Sequence, residues 1–382
     1  MRGIAVRLTL IVGLFFAIAA EPALASGYSV LYNFGSGKTG ATPYSQLLNV
    51  NGVYYGTTQR GGAYGYGTVY KLIPGKPPQF IHSFGEGKDG AGPYGPLIAV
   101  NGELFGTTAR GGKYNQGTLF RVSPTGLEVV LYHFGSVTHG GALPTGGVTE
   151  LNGFLYGTTS GGGKYGFGTL FKSSQNGVTE FPYSFDGNSG GCVTPTGALT
   201  LAGGLFYGTT QYGGKYSWGC LFKATSSGVV SPLYQFGAFA GDGQTPLSGV
   251  IAVGGSLVGG LSGGGNYGAG ALYSVNTSGT ETLLYSFLNG LGDAEAPWGP
   301  PIDVAGTLYG TTNSGGLNNK GLGAVYAYKP GATADTVLHS FLGTKKDGET
   351  PAVALTPVGS VLYGTTPSGG AYGWGVLFEV SP

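Results

Sequence analysis

One short motif recurs along the sequence and constrains the fold more than any other feature. An aromatic residue followed by Gly-Thr-Thr occurs six times, and a degenerate copy at residues 258–261 fills the one gap in the series. The first glycines of the seven copies are Gly56, Gly106, Gly157, Gly208, Gly259, Gly310 and Gly364. Their spacings of 50, 51, 51, 51, 51 and 54 residues are typical of repeat architectures, in which each unit is one supersecondary element packed against its neighbours.

Each unit contains four predicted strands, which we name a to d. In the second unit, strand a is predicted over residues 96–100, b over 103–108, c over 117–122 and d over 128–134. An Asn-Gly pair joins a to b, and this pair favours a tight hairpin because both turn residues need positive φ. The 80 glycines and 21 prolines among 382 residues disfavour helices. A four-stranded antiparallel unit repeated seven times predicts an all-β, seven-bladed β-propeller.

The two ends of the chain predict how the propeller closes. Residues 28–34 match strand d, and residues 375–380 match strand c. The N-terminal strand therefore supplies the strand that the last blade lacks, which removes the open edges of the array. An open β-solenoid gives no reason for this offset. We expect one propeller domain over residues 26–382, and a closed ring without a free edge favours a monomer.

Residues 1–25 have the three parts of a secretory signal peptide. Two arginines precede an apolar run over residues 8–20, and residues 23–25 (Ala-Leu-Ala) form a small-residue cleavage site before Ser26. This pattern is typical of a signal peptide, and the run is too short to span a bilayer. We expect export to the periplasm or the extracellular space. The sequence ends inside the last repeat, so we expect release rather than anchoring.

The chain has two cysteines, Cys192 and Cys220. In an exported protein an even number of cysteines predicts a disulfide. The alternative is a pair of unbonded small hydrophobic residues. The strand pattern places Cys192 in a d–a loop and Cys220 at the start of a strand c, on the same side of the ring, so the bond would tie that loop to its blade.

The charge balance excludes two classes of function. There are 18 Lys and Arg residues against 17 Asp and Glu residues, and only 9% of the residues are charged. Nucleic-acid binding through phosphate neutralisation needs a strongly basic surface, and electrostatic attachment to a membrane needs polybasic segments. We therefore expect neither nucleic acid nor a membrane as the partner.

The repeat can be written L-Y-G-T-T-x-x-G-G-x-Y-G-x-G-T-L-F-K, and residues 155–172 show it most completely, with one extra glycine. In this form it resembles the GloVer tandem repeat of bacterial extracellular proteins, and the resemblance covers all seven units. It implies a secreted repeat protein of a kind often tethered by a C-terminal anchor, and it implies no particular activity. Kelch propellers share the paired glycines and the repeat length, which is an analogy at the level of the fold.

Binding is expected on the rim that carries the long b–c and d–a loops, because loops on a rigid scaffold usually hold binding residues. Residues that depart from the repeat on this rim are the ligand candidates, and they are Arg60, Arg110, His139, Tyr212, Trp218, Trp298 and Trp374. Exposed aromatic rings among them would stack on sugars. The tyrosines that recur in the b–c loops, such as Tyr64 and Tyr114, are instead expected to be packing residues.

The sequence offers no convincing catalytic set. The acidic residues of the d–a loops include Asp89, Asp242 and Asp347, each followed by glycine, and Asp-Gly is a turn pair because Asp bonds its own backbone. His82 and His339 replace a tyrosine of strand d and are expected to be structural. We therefore expect no catalytic residue, no metal and no cofactor.

These observations favour a secreted, non-catalytic propeller that binds a carbohydrate or a cell-surface protein through its long-loop rim. Two alternatives stay open. One is an extracellular glycan-cleaving enzyme that uses two carboxylates of the rim. The other is a structural repeat protein of the cell envelope without a soluble ligand.

Overall fold

The computed structural model describes residues 27–35, 37–85, 89–290, 292–317 and 320–382. The predicted signal peptide, residues 1–25, lies outside this part. The described residues form seven antiparallel sheets arranged as the blades of a propeller, which confirms the predicted fold class. Their one helical element is the short 3₁₀ turn Asn188–Gly190, and no helix among them is long and apolar enough to cross a membrane.

Each blade contains strands a to d in that order, and strand a is usually split into two segments. Blade 1 comprises a Gly40–Pro43 and Leu48–Val50, b Val53–Gly61, c Thr68–Leu72 and d Gln79–Ser83. Blade 2 comprises a Gly90–Pro93 and Ile98–Val100, b Glu103–Gly111, c Thr118–Val122 and d Glu128–His133. Blade 3 comprises a Gly141–Ala142 and Thr149–Leu151, b Phe154–Thr159 and Gly161–Gly162, c Thr169–Ser174 and d Thr179–Ser184.

The remaining blades repeat this order. Blade 4 comprises a Cys192–Ala202, b Leu205–Gly213, c Cys220–Ala224 and d Val230–Gln235. Blade 5 comprises a Gly243–Gln244 and Ile251–Val253, b Ser256–Leu261 and Gly263–Gly264, c Ala271–Asn276 and d Glu281–Ser286. Blade 6 comprises a Ala294–Pro297 and Ile302–Val304, b Thr307–Gly315, c Ala324–Tyr328 and d Thr336–Ser340. Blade 7 comprises a Gly348–Glu349 and Thr356–Val358, b Val361–Thr366 and Ser368–Gly369, c Val376–Val380 and d Tyr28–Asn33.

Strand a begins earlier than predicted, because pairing with strand b starts before the repeated proline. In blade 2 Gly90 already pairs with Gly111, whereas the prediction began at residue 96. The residue before each proline has positive φ, and the non-glycine examples are Thr42, Leu143, Thr194, Thr245, Ala296 and Thr350. This left-handed residue kinks the backbone and interrupts the ladder, which is why one strand appears as two segments.

The same kink joins neighbouring blades. The N–H of Thr245 donates to the carbonyl of Trp218 in the preceding blade (3.0 Å). The proline that follows packs on a glycine of that blade: a Cβ on Gly219 would lie 2.8 Å from Cδ of Pro246. Equivalent contacts recur around the ring, including that between Thr42 and Trp374 (2.8 Å), which joins blade 7 to blade 1.

The ring closes as the sequence predicts. Tyr28–Asn33 pairs antiparallel with Val376–Val380 and completes blade 7. Next to the axis, the hydroxyl of Thr356 in blade 7 donates to the carbonyl of Leu47 in blade 1 (3.0 Å). The first and last segments of the chain therefore hold each other in place, and no blade edge is left open by the order of the repeats.

The core lies between the blades and is largely aromatic. Phe236 of blade 4 packs edge-on against Tyr273 of blade 5, with ring centroids 4.9 Å apart, and both side chains are fully buried. The second threonine of the repeated motif is structural, since the hydroxyls of Thr58 and Thr68 lie 2.8 Å apart and hold strand b to strand c. In the degenerate blade 5 the buried Leu261 replaces this threonine.

The disulfide between Cys192 and Cys220 is confirmed, with a Cα–Cα distance of 5.8 Å. The expected placement of Cys192 in a loop was wrong, because Cys192 begins strand a of blade 4, while Cys220 begins strand c of the same blade. The bond therefore crosses strand b within one sheet. Blades 1 to 3 have Gly and Thr at these two positions, as in Gly40 and Thr68, where the glycine leaves room for the threonine hydroxyl.

We expect the disulfide to stabilise the propeller against unfolding by about 3 to 4 kcal/mol, because it closes a loop between residues 28 positions apart and thereby restricts the unfolded chain. Guanidinium unfolding with and without reductant measures this difference. The control is the double variant Cys192→Gly/Cys220→Thr, which installs the pair that the chain itself uses in blades 1 to 3. Reductant should leave this variant unchanged, and an equal response in both proteins would contradict the prediction.

Candidate functional site

A cavity of about 790 Å³ lies at the axis of the ring. All seven blades line it through the residue that follows the repeated proline of strand a, and these residues are Tyr44, Tyr94, Thr145, Thr196, Leu247, Trp298 and Ala352. Ser160 and Gln211, which follow the threonine pair at the b–c end of the blades, also line it. The cavity therefore extends toward the long-loop rim.

The position that comes next in each repeat brings neighbouring blades together at the cavity wall. Gly95 and Gly197 occupy this position in blades 2 and 4, and both lie on the cavity wall. A Cβ on Gly95 would be 2.2 Å from the amide nitrogen of Gly147, and one on Gly197 would be 2.2 Å from that of Gly249. Adjacent blades thus touch backbone to backbone at the axis wherever glycine occupies this position, because a Cβ there would clash. The other blades have Ser45, Ser248 and Val353. The preceding residue of each repeat is free of this constraint and varies.

Aromatic rings stand on two sides of the cavity. Tyr44 and Tyr94 of the adjacent blades 1 and 2 have ring centroids 4.6 Å apart and planes inclined by 38°. Burial, together with the neighbouring Tyr94, raises the pKa of the Tyr44 hydroxyl above its ordinary value, so this group is a neutral donor. Trp298 belongs to blade 6, three blades from blade 2, which is the largest separation in a seven-membered ring. Trp298 and Tyr94 therefore line the cavity from across the axis.

The other lining groups are uncharged. Hydroxyls come from residues such as Ser45, Thr196 and Ser248, amides come from Gln46 and Gln211, and none of the described lining residues is Asp, Glu, Lys, Arg or His. Such a surface can stack on flat apolar faces and exchange hydrogen bonds with neutral polar groups. The lining residues contain no ionisable acid or base with a pKa near neutrality.

Of the residues predicted to bind a ligand, only Trp298 lines the cavity. The other six, Arg60, Arg110, His139, Tyr212, Trp218 and Trp374, lie outside it, and all but Trp374 are exposed. Sequence reasoning missed Tyr44 and Tyr94. The sequence does contain a signal for these two residues, because the position after the repeated proline varies most within this segment of the repeat.

The recurring tyrosines of the b–c loops, which were expected to be packing residues, pack at the surface of the rim and not in the core. Side chains such as Tyr64, Tyr114, Tyr165, Tyr267 and Tyr372 are 41–67% exposed. They lie beside the glycine that follows strand d. In blade 4, a Cβ on Gly237 would be 2.5 Å from Cδ1 of Trp218 and 3.2 Å from Cβ of Tyr216. The backbone therefore fixes the rings at the surface.

Three acidic residues of the described d–a loops are buried and face no open cleft on the rim. Asp242, Asp293 and Asp347 are only 2–3% exposed. Asp242 accepts hydrogen bonds from the amides of Gly237 and Ala238 (2.8 Å each) and from the hydroxyl of Tyr234 (2.9 Å). The carboxylate thus folds its own loop, as expected for Asp-Gly turns.

Three aspartates of the d–a loops, Asp89, Asp242 and Asp293, each face a second carboxyl group from the next blade. We call the three pairs the carboxyl clasps: Asp89 with Glu128, Asp242 with Glu281, and Asp293 with Asp335. One oxygen of Glu128, Glu281 and Asp335 is buried without a hydrogen-bond partner in the described structure. Burial, reinforced by the facing aspartate, raises the pKa of Glu128 to about 8, that of Glu281 to about 7 and that of Asp335 to about 8. Glu128, Glu281 and Asp335 therefore retain their protons to a higher pH than exposed carboxyl groups do.

The first clasp also contains His82, whose Nε2 lies 3.1 Å from Oδ2 of Asp89. His82, Asp89 and Glu128 offer nitrogen and oxygen atoms within 4.8 Å of one another, a donor set that suits a divalent metal. Tyr234 and Tyr285 occupy the position of His82 in the other two clasps. The arrangement is therefore primarily a repeated contact between outer strands.

Comparison with known proteins gives a family for the chain. The model of the Gloeobacter/Verrucomicrobia repeat matches residues 13–151, 129–321 and 250–382. These matches overlap and together extend over most of the sequence. No curated protein sequence matches this chain.

Solved structures share the fold at low sequence identity. Virginiamycin B lyase from Staphylococcus aureus aligns over 90% of this chain and 95% of its own, with a TM-score of 0.59 and 13% identity. The extracellular domain of a protein named as a hybrid two-component system from B. thetaiotaomicron aligns over 92% of this chain and 39% of its own (TM-score 0.59, 12% identity). A puromycin-hydrolysing peptidase from Mycobacterium tuberculosis aligns over 85% and 50% (0.50, 12%). Identities this low support the propeller fold and no shared activity.

We expect the carboxyl clasps to make the propeller less stable as the pH rises from about 4.5 to about 8. The folded chain binds protons on Glu128, Glu281 and Asp335 that the unfolded chain releases near pH 4, so their contribution is complete at low pH and is lost as pH passes the folded pKa values. The measurement is the thermal midpoint at pH 5 and pH 8.5. In the triple variant Glu128→Gln/Glu281→Gln/Asp335→Asn, the difference between the two thermal midpoints should be smaller by roughly 2–4 °C, because an amide donates a hydrogen bond at any pH.

Glu103 provides the control for the clasps. It begins strand b at the opposite, short-turn rim, so Glu103→Gln should leave the pH dependence of the midpoint unchanged. If this variant flattened the profile as much as the triple variant, the clasps would not be its origin.

Proposed function

The chain belongs to the Gloeobacter/Verrucomicrobia repeat family, and on this premise we propose that it is a secreted binding propeller that holds a neutral carbohydrate in its axial cavity. The observation that carries the proposal is the cavity lining. Every blade contributes one variable residue, three of the seven are aromatic, and none of the described lining residues is charged.

A carbohydrate matches this chemistry in both of its parts. The apolar face of a sugar ring stacks on an aromatic side chain, and Tyr44, Tyr94 and Trp298 offer rings on two sides of the axis. Sugar hydroxyls donate and accept hydrogen bonds, which suits the hydroxyl and amide groups between those rings. The volume of about 790 Å³ lies in the range of roughly 300–1,000 Å³ that is typical of small-molecule sites.

An enzymatic function has less support. The structural neighbours include proteins named as a lyase and as a puromycin-hydrolysing peptidase, but hydrolysis of a glycan needs two carboxyl groups across the scissile bond. The clasp aspartates, Asp89, Asp242 and Asp293, accept hydrogen bonds from the amides of their own loops. We therefore propose binding without chemistry, and the disulfide agrees with an oxidising location after export.

The proposal is tested by binding of the purified mature protein to an array of neutral oligosaccharides, followed by calorimetry on the best ligand. We expect Trp298→Ala to weaken that binding roughly tenfold, because loss of an aromatic stack removes about 0.5–1.5 kcal/mol beyond the lost contact area. Blade 7 already has Ala352 at this position, so the variant should fold. Analysis of the recovered ligand for cleavage products is the check for an enzyme.

The matched control is Trp218→Ala, which alters the rim outside the cavity. Blade 5 has Ala269 at the position of Trp218, so this variant is also compatible with the fold. We expect it to bind the oligosaccharide as the unmodified protein does. A larger effect of Trp218→Ala than of Trp298→Ala would move the site to the rim, and cleavage of the ligand would replace binding by catalysis. An array without any bound glycan would rule the proposal out.

A further inference from the structure

Three lysines occupy the same position in consecutive blades of the long-loop rim. Lys113, Lys164 and Lys215 belong to the b–c turns of blades 2, 3 and 4, and all three are exposed. The ammonium of each lies 5.1–5.2 Å from the ring centroid of the tyrosine that follows it. The chain therefore presents the same cation–aromatic pair three times along an arc of the ring.

The backbone holds these pairs in fixed positions. The amide of Lys164 donates to the hydroxyl of Ser184 at the end of strand d (3.2 Å). The amide of Lys215 donates in the same way to Oε1 of Gln235 (2.5 Å). Each turn is thus tied to the outer strand of its own blade, and the exposed lysine side chains project from a fixed backbone.

Two further cations extend the arc. Arg60 and Arg110 occupy equivalent positions near the end of strand b in blades 1 and 2, and both are exposed. No carboxylate of the described residues forms an ion pair with either arginine or with any of the three lysines. We name Arg60, Arg110, Lys113, Lys164 and Lys215 the basic arc.

The net charge of the chain is only +1, although the five cations of the basic arc lie together on one part of the rim. Blades 1, 5 and 7 have the uncharged Ala63, Asn266 and Ala371 at the lysine position, so the lysines of blades 2 to 4 add positive charge at a site that does not require it. The d–a loops of the same rim contribute Asp89, Asp186 and Asp242, but Asp242 is buried in its own loop. The b–c side of the rim in blades 1 to 4 therefore presents five exposed cations and attracts anions, although the whole molecule is almost neutral.

We propose that the basic arc binds a carboxylated polysaccharide, a polymer of uronic-acid units. Each unit of such a polymer has a carboxylate for a lysine or arginine and a sugar ring for the adjacent tyrosine, which is exposed in Tyr114 and Tyr165 and half-buried in Tyr216. In every Lys-Tyr pair, a cation for the carboxylate and an aromatic ring for the sugar are neighbours. One pair per blade gives a row of equivalent contacts that a regular polymer can occupy together, and the combined contacts bind more tightly than any one of them.

The sparse charge favours this partner over other polyanions. Duplex DNA has one negative charge for about every 1.7 Å of its axis, whereas the arc has five cations spread over four blades. Stable attachment to an anionic bilayer needs a cluster of cations or a second, apolar anchor. The arc has neither, because its exposed aromatics are single rings interleaved with glycine.

The test measures binding of the mature protein to polygalacturonate and to alginate by biolayer interferometry, with dextran of similar length as the neutral polymer. We expect binding to both polyuronates that weakens as salt rises from 20 to 300 mM, and no comparable binding to dextran. The variant Lys113→Ala/Lys164→Ala/Lys215→Ala should weaken binding about tenfold, since each exposed ion pair contributes about 0.2–1 kcal/mol, and should reduce its salt dependence.

Two comparisons keep the experiment decisive. The alanines match Ala63 and Ala371, so an unchanged thermal midpoint shows that the variant is folded. Lys76→Ala, at a c–d turn on the outside of blade 1, removes one exposed charge elsewhere and should leave binding unchanged. Polyuronate binding that survives the triple substitution, or tighter binding to single-stranded DNA or to phosphatidylserine vesicles than to either polyuronate, would overturn the proposal.

This surface is independent of the axial cavity. Trp298→Ala should leave polyuronate binding intact, and the triple lysine variant should leave binding of a neutral oligosaccharide intact. Failure of one proposal is therefore distinguishable from failure of the other.

Discussion

The contact between neighbouring blades at the ring axis is the constraint on which the rest of the structure depends. Backbone meets backbone there, and a Cβ on Gly146 would lie 2.0 Å from the carbonyl oxygen of Gly197 in the next blade. Glycine occupies this position in blades 2, 3, 4 and 6 and lets their innermost strands approach the next blade closely. Blades 1, 5 and 7 have Ser45, Ser248 and Val353 there. The left-handed residue and the proline that precede this position bend each strand a toward its neighbour, and the accompanying strain is tolerated because every blade fixes the same conformation.

This constraint determines where the sequence is free to vary. Glycine, threonine and proline of the repeat contact adjacent strands or blades, so a change at Gly219 or Thr58 would disturb an interface. The residue after the proline, Trp298 in blade 6 and Ala352 in blade 7, faces the cavity and contacts no fixed partner of the repeat. The residue before the recurring tyrosine, Lys164 in blade 3 and Ala371 in blade 7, faces solvent. The two variable positions are thus the two candidate binding surfaces, and the scaffold separates them in space.

The sequence predicted what depends on periodicity. The spacing of the glycines predicted seven blades, and the strand-d pattern at Tyr28–Asn33 predicted closure on the last blade, because both are local features repeated in order. It did not predict contacts between blades. It also did not predict local backbone conformation: strand a starts as early as Gly90, and the amides of the d–a loop enclose Asp242. Hydrophobic alternation within a blade contains no information about either contact, or about the exposure of Tyr64.

The candidate site also shows what a search of the sequence for unusual residues finds and what it misses. A search for unusual residues selected Trp298 because tryptophan is rare, but it also selected Trp218 and Trp374, which lie outside the cavity, and it passed over Tyr44 and Tyr94 because tyrosine is common. Alignment of the seven repeats with one another is the better guide, since a position that varies between units of one ring has been released from packing and is available to a ligand. By that criterion the post-proline residues and the b–c turn residues stand out without any structure. The fold then adds what the alignment lacks: the first set converges on the axis and is uncharged, whereas the second lies along the rim and is basic in blades 2 to 4.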